Sequence, residues 1–401
     1  MNLNKPLWKG GFILLVTFGL FGFLNFVFQL SMARMLSISD YAIFATLFSI
    51  VYVLSVFSES VQTVITKYAS VEKEDEKLKN ILKRSLKKSF AASVVLFSIY
   101  LVVSIPLSYV LEIKYPLLAI TGILIFSAFT LPVTRGVMQG RKNFRALGLN
   151  MVFESLLKLI LGVFFVFLGW KVYGALVGAI LGFFAAFLLS FIPLRRVIGK
   201  KEGRATTIGI YSYAKPTFFI ILAVVAFYSI DIIIAKIVLN SEDVGAYAIA
   251  SVLSKAIFWG TQPISKAMFP LSSESFRSEK NSEEIFFNAF GLVFVLASIA
   301  LAAFYFFPGL IILIFSGKFV YDSISILFYL GVGTSLISLS NLVLLYKLSQ
   351  NKTKKYWRLY LFLAIEIALL FYFSSNLIQF SLAFVTSAAI FLWGSLTLMN
   401  H

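Results

Sequence analysis

Hydrophobic and polar positions along this chain fall into long blocks, unlike the short alternation of a sheet or the one-sided stripe of a surface helix. Apolar runs cover residues 12–33, 41–66, 90–111, 115–134, 147–168, 172–193, 216–238, 244–270, 286–307, 310–346, 357–373 and 377–399, with polar turns or charge-rich loops between them. A helix needs about 20 apolar residues to cross ~30 Å of hydrocarbon, and these runs have that length. Transmembrane β-barrels alternate polarity within segments of about 10 residues instead. The pattern predicts an all-α polytopic membrane protein of about twelve transmembrane helices.

The pattern also repeats. The stretches Ser31–Ala45 and Ile233–Ala248 each carry a basic residue (Arg34, Lys236), a short polar turn, an aspartate (Asp40, Asp243) and an aromatic (Phe44, Tyr247), about 203 residues apart. Each copy follows one apolar run and precedes another, as internal duplication requires. Pro106 and Pro308, about 202 residues apart, extend the match to the third and ninth runs. Two six-helix lobes follow, residues 1–198 and 216–401, joined by a Gly-, Lys- and Thr-bearing linker over 199–215.

Composition agrees with a bilayer: 60% of the 401 residues are hydrophobic and 13% charged, against ~45–50% apolar in soluble proteins. The net charge of +17 would suggest nucleic acid in a soluble chain. Here 28 of the 35 basic residues fall in loops on one side and five in turns on the other. By the positive-inside rule both termini are expected in the cytoplasm, the protein in the cell membrane, and no nucleic-acid partner. The first run ends in Ser31-Met32-Ala33, a small-residue sequence like a signal-peptidase site, but the run exceeds the ~7–15 residues of a signal core and reads as a span.

There is no cysteine, and the one histidine is the terminal His401, so disulfides, thiolate nucleophiles and His- or Cys-based metal sites are excluded. No phosphate-binding loop occurs, since Gly317-Lys318-Phe319 lacks the hydroxyl residue, and no large outward loop could hold a catalytic domain. The chain is therefore not expected to be an enzyme. In the inward loop 67–89, Leu78, Ile81, Leu82 and Leu86 share one helical face, ringed by Lys77, Lys79, Lys83, Arg84, Lys87 and Lys88. Two readings stand: a helix lying on the anionic inner leaflet, or a solvated connector whose lysines enforce topology.

An ionisable side chain in hydrocarbon costs about 2.5–3.5 kcal/mol even on the translocon scale, so each one asks for a partner or a wet cavity. Asp231 in the seventh run and Lys255 in the eighth lie on successive antiparallel helices and can meet at similar depth. Glu154 and Lys158, at i and i+4 in the fifth run, are placed for a same-face buried pair. Glu59 lies in the second run, Glu366 in the eleventh close enough to the basic cluster to snorkel towards it, and Lys266 near the same surface. Asn25 and Gln29 make one face of the first run polar, and Gln29 is the positional counterpart of Asp231. Gly174, Gly178 and Gly182, at four-residue spacing, predict a helix face for close packing.

The two halves, the Asp231 run leading into Ser241–Ala248, and Arg135–Phe144 after the fourth run together resemble the polysaccharide transporter branch of the multidrug/oligosaccharidyl-lipid/polysaccharide exporter superfamily, the O-antigen-type flippases, over essentially the whole chain. The resemblance implies a V-shaped bundle of two lobes that moves a polyprenyl-(pyro)phosphate-linked oligosaccharide across the membrane by alternating access. Carried over to this chain, the cavity wall would include Asn25, Gln29, Arg34, Glu59, Asp231, Lys255 and Lys266, with Lys255 and Arg34 attracting the phosphate. Expected partners are the lipid-linked sugar, membrane lipids and polysaccharide assembly proteins; no cofactor is implied, and a coupling proton or sodium ion is left open. The related multidrug and toxic-compound extrusion branch is the alternative, with Asp231 as the cation site and a drug or metabolite as cargo. A scaffold would need no buried ions, and a membrane glycosyltransferase would need external loops that this chain lacks.

Overall fold

A computed structural model describes residues 5–203, 211–277, 282–318, 320–350 and 355–397. These form helices α1 (Lys5–Met35), α2 (Ile38–Val71), α3 (Asp75–Val110), α4 (Tyr115–Gly122), α5 (Leu124–Gly140), α6 (Phe144–Phe165), α7 (Lys171–Ser190), the single turn α8 (Arg195–Ile198), α9 (Tyr211–Val238), α10 (Ser241–Arg277), α11 (Ser282–Phe306), α12 (Pro308–Ser316), α13 (Tyr321–Ser349), α14 (Leu359–Tyr372) and α15 (Leu377–Thr397). No strand occurs among the described residues.

Ten stretches among them are long and apolar enough to cross a membrane. One, Phe144–Ser190, contains two helices, and α14 with 14 residues is too short to be counted, which reconciles the ten with the twelve runs of the sequence. The tenth run divides where Gly317 takes a left-handed φ of 68° and ends α12 before α13 begins. Pro106 lies inside α3 while Pro308 opens α12, where its missing N–H costs no helical bond, so the two prolines do not play matching parts.

The helices group into two compact units: residues 1–35 with 54–215, and residues 36–53 with 216–401. In the first, α6 and α7 are an antiparallel hairpin turned through Gly169 (φ 88°) and Lys171 (φ 47°). Its seam is the predicted glycine face. A Cβ on Gly174 would lie 2.8 Å from the Phe165 carbonyl carbon and one on Gly182 2.9 Å from the Lys158 nitrogen, while one on Gly178 would overlap the Gly162 backbone. Without side chains the two backbones approach closely and gain dispersion contacts, the attraction still available where lipid is as apolar as the helix.

The apolar face of loop 67–89 is covered mostly by the protein itself, Leu78, Ile81 and Leu82 being buried and Leu86 partly so. Residues 75–88 are the first turns of α3, and Leu78 and Leu82 are buried with Val133, Val137, Leu147, Leu194 and Val197. The reading of a helix laid on the leaflet gives way to one physical fact: the protein itself supplies the apolar partner, while Lys83, Arg84, Lys87 and Lys88 stay exposed. The polar side of these turns holds the start of the inter-lobe segment. Asn80 Nδ2 and Lys83 Nζ donate to Glu202 at 2.8 and 2.7 Å, and Gly203 N donates to the Glu76 carbonyl at 3.1 Å. The Lys83 bond, with that from Asn80, holds the Glu202 carboxyl below its ordinary range. Residues 204–210 of the expected linker lie outside the described residues, and 211–215 already belong to α9.

In the second unit α13 packs between α10 and α15. Gly333 admits the Phe384 ring, Ser254 and Thr334 hydroxyls bond at 3.0 Å, and Phe227 of α9 stacks on Phe391 of α15 with centroids 4.4 Å apart. Lys347 donates to the Ser395 and Leu396 carbonyls near the end of α15, where a cation suits the helix dipole. The duplicated turns are now explicit helix starts. Ser37 Oγ accepts from Asp40 N at 3.1 Å and donates to Asp40 Oδ2 at 2.8 Å. Asn240 Oδ1 accepts from Asp243 N at 2.9 Å while its Nδ2 donates to Asp243 Oδ2 at 2.6 Å. Each is a polar cap paired with the acidic residue three positions on, which satisfies the free N–H groups at the start of α2 and α10.

Candidate functional site

Asp231 is fully buried on α9, and three side chains of α10 converge on it. Lys255 Nζ donates to Oδ1 at 2.9 Å; Ser251 Oγ and Tyr247 OH donate to Oδ2 at 2.8 and 3.1 Å. Residues 247, 251 and 255 are spaced by four, so one face of a straight helix presents all three. The long apolar surroundings of α9 and α10 fix this pair in the interior; Tyr228 packs on Phe258 and Trp259 beside it. Lys255, 7% exposed at its side chain, is therefore already neutralised by a carboxylate.

Glu366 on α14 joins the same electrostatic group. It is completely buried, couples electrostatically to Asp231, Lys255 and Tyr247, and neither carboxyl oxygen has a hydrogen-bond partner. It does not snorkel to the basic loop, because the neighbouring helices close over it. The group thus contains two carboxyl side chains and one lysine.

The first unit carries a second buried network. Arg135 on α5, 8% exposed, donates through Nε to Asn150 Oδ1 at 2.8 Å and through Nη2 to Glu154 Oε2 at 2.6 Å, and Asn150 Nδ2 continues to the Ala186 carbonyl of α7 at 2.7 Å. Glu154 is thus taken by Arg135 and not by Lys158, although i and i+4 place the two on one face. Lys158 instead donates to Asn25 Oδ1 on α1 and sits 4.8 Å from the centroid of the Phe28 ring.

The remaining candidates are distributed. Gln29 is buried on α1, Arg34 is exposed at its end, Glu59 is exposed on α2, and Lys266 is exposed on α10. The structure joins Asp231 to Lys255 and Asn25 to Lys158. Tyr247 and Ser251 as ligands of Asp231, and Arg135 and Asn150 around Glu154, were missed by the sequence reading. The four-residue spacing from Tyr247 to Lys255 was the available signal for the first pair; Arg135 and Asn150, a loop apart in sequence, had none. Among the described residues no group of acidic or histidine side chains could hold a metal ion.

Comparison with known proteins places the fold and the family. Residues 7–276 match the family model described as "polysaccharide biosynthesis protein". No curated protein matches the sequence. Among solved structures, an inward-facing multidrug resistance MATE family transporter of the MOP superfamily aligns with 94% of each chain at 15% identity and a TM-score of 0.76. The lipid II flippase MurJ in an inward closed conformation aligns over 97% of this chain and 88% of its own at 16% identity, TM-score 0.71. An outward-facing MATE transporter of the MOP superfamily gives 0.66 over 97% of this chain and 95% of its own at 17% identity. At these identities the likeness is one of fold.

Proposed function

Because the chain belongs to the polysaccharide biosynthesis protein family, we propose that it is a secondary transporter that flips a polyprenyl-(pyro)phosphate-linked oligosaccharide to the outer leaflet of the cell membrane by alternating access. Its termini lie in the cytoplasm and it catalyses no covalent step. The observation that carries this reading is the set of ionisable groups within apolar helices, buried Asp231, Lys255 and Glu366 in one unit and buried Arg135 with part-buried Glu154 and Lys158 in the other. Membrane helices retain such costly groups where a substrate or coupling ion must be met. Gln29, Arg34, Glu59 and Lys266 are further substrate contacts in this proposal, and surface polysaccharide assembly proteins act on the product.

A second reading, cation-coupled export of a drug or metabolite, is favoured by one observation. Two carboxyl groups around one lysine, with both Glu366 oxygens unpartnered, suit a proton or sodium ion.

The deciding experiment reconstitutes the full chain in vesicles with a fluorescent polyprenyl-pyrophosphate oligosaccharide and follows its arrival in the opposite leaflet. Wild type is expected to translocate it, and Glu366→Gln, which keeps shape and removes the ionisable proton, to lose the dependence on an imposed ion gradient. A folded wild type that moves no lipid-linked sugar but carries cationic dyes would replace the first reading with the second.

A further inference from the structure

Lys158 on α6 and Lys255 on α10 both lie within apolar helices, and their surroundings differ in sign. Lys255 faces a bonded carboxylate, Asp231, so an arriving anion meets an acidic group. Lys158 is held by neutral partners, the Asn25 carbonyl oxygen and the Phe28 ring. The carboxylate one turn away, Glu154, acts on it at longer range but is itself bonded to Arg135 at 2.6 Å. Arg135 and Lys158 together place two cations against one carboxylate in this network. Lys158 is also partly exposed, whereas Lys255 is buried. An ammonium held only by one amide oxygen and a ring face retains most of its attraction for a stronger acceptor, and a phosphate oxygen is that acceptor.

We infer that Lys158, seated on Asn25 and Phe28, is the point in the first unit that takes the phosphate of a prenyl-phosphate ligand, and that Lys255 is an internal counter-ion. This rests on the reading that the cargo is lipid-phosphate-linked, and it assigns the anion contact within it. Asn25 positions the ammonium: its Nδ2 donates to the Phe21 carbonyl at 2.8 Å, which fixes the amide so that its oxygen points to Lys158. The phosphate replaces or adds to the Asn25 oxygen, and the Phe28 face stays beneath the cation.

The test measures binding of farnesyl pyrophosphate to the purified full chain in detergent, with farnesol as the uncharged control. Wild type is expected to bind the pyrophosphate and farnesol far more weakly. Lys158→Met should weaken pyrophosphate binding about ten- to a hundredfold, the range of one charge-assisted hydrogen bond, and Lys158→Arg should restore most of it without changing farnesol binding. No binding by wild type, equal affinity in Lys158→Met, or a loss confined to Lys255→Met would overturn the assignment. Lys158-dependent binding together with no translocation of the polyprenyl-pyrophosphate oligosaccharide would leave the site standing and remove the flippase reading instead.

Discussion

Lys255 bonds Asp231 in a fully buried site, so removing the lysine leaves a carboxylate with only the Tyr247 and Ser251 hydroxyls and with Glu366 nearby. Breaking a buried pair from one side costs about 3–5 kcal/mol, while replacing both partners is far milder. Lys255→Met is therefore expected to lower the unfolding temperature in detergent strongly, and Asp231→Asn added to it to recover much of the loss. Equal losses in single and double variants would show that the pair is not what holds α9 to α10. Asp231 and Lys255 were legible because ionisable residues stand out in apolar runs. Their true neighbours were less so: the fifth run offers Glu154 a lysine at i+4, yet Arg135 from another helix, with five donors in a rigid fork, takes the carboxylate.

The α6–α7 hairpin turns a sequence pattern into a tolerance that can be measured. Gly178 has the Gly162 backbone where a Cβ would go, whereas Gly291 in α11 has nothing within 4 Å. Gly178→Ala is expected to destabilise by about 1–3 kcal/mol through overpacking. Gly291→Ala should be neutral or stabilising by up to about 1 kcal/mol, since alanine is the better helix former. Thermal unfolding of the two variants side by side reads the sign of each; a stabilised Gly178→Ala would disprove the close approach. The glycine face was visible in the spacing of 174, 178 and 182. The burial of α3's first turns was not, because an amphipathic stretch states that it needs an apolar partner without saying whether lipid or protein provides it.

The whole chain has the fold of the multidrug/oligosaccharidyl-lipid/polysaccharide exporters, an all-helical multi-pass architecture. Its lack of cysteine makes it a ready background for topology. Single cysteines at Lys201, beside the basic turns of α3, and at Glu112, in the α3–α4 turn, are expected to react with a membrane-impermeant maleimide from opposite sides, with Lys201→Cys on the cytoplasmic side. Labelling of both from one side would refute the arrangement drawn from the positive-inside rule. Hydropathy alone determined the class, the approximate spans and the duplicated turns, because each depends on the energy of a residue in lipid or on a cap three positions away. Contacts across the fold decided the rest. They settled that residues 36–53 group with the second unit, that Glu154 binds Arg135, that Glu366 is sealed inside, and that Lys158 and not Lys255 is without a bonded carboxylate. Those outcomes depend on which helices pack together, and packing compares partners that one-dimensional periodicity does not bring into contact.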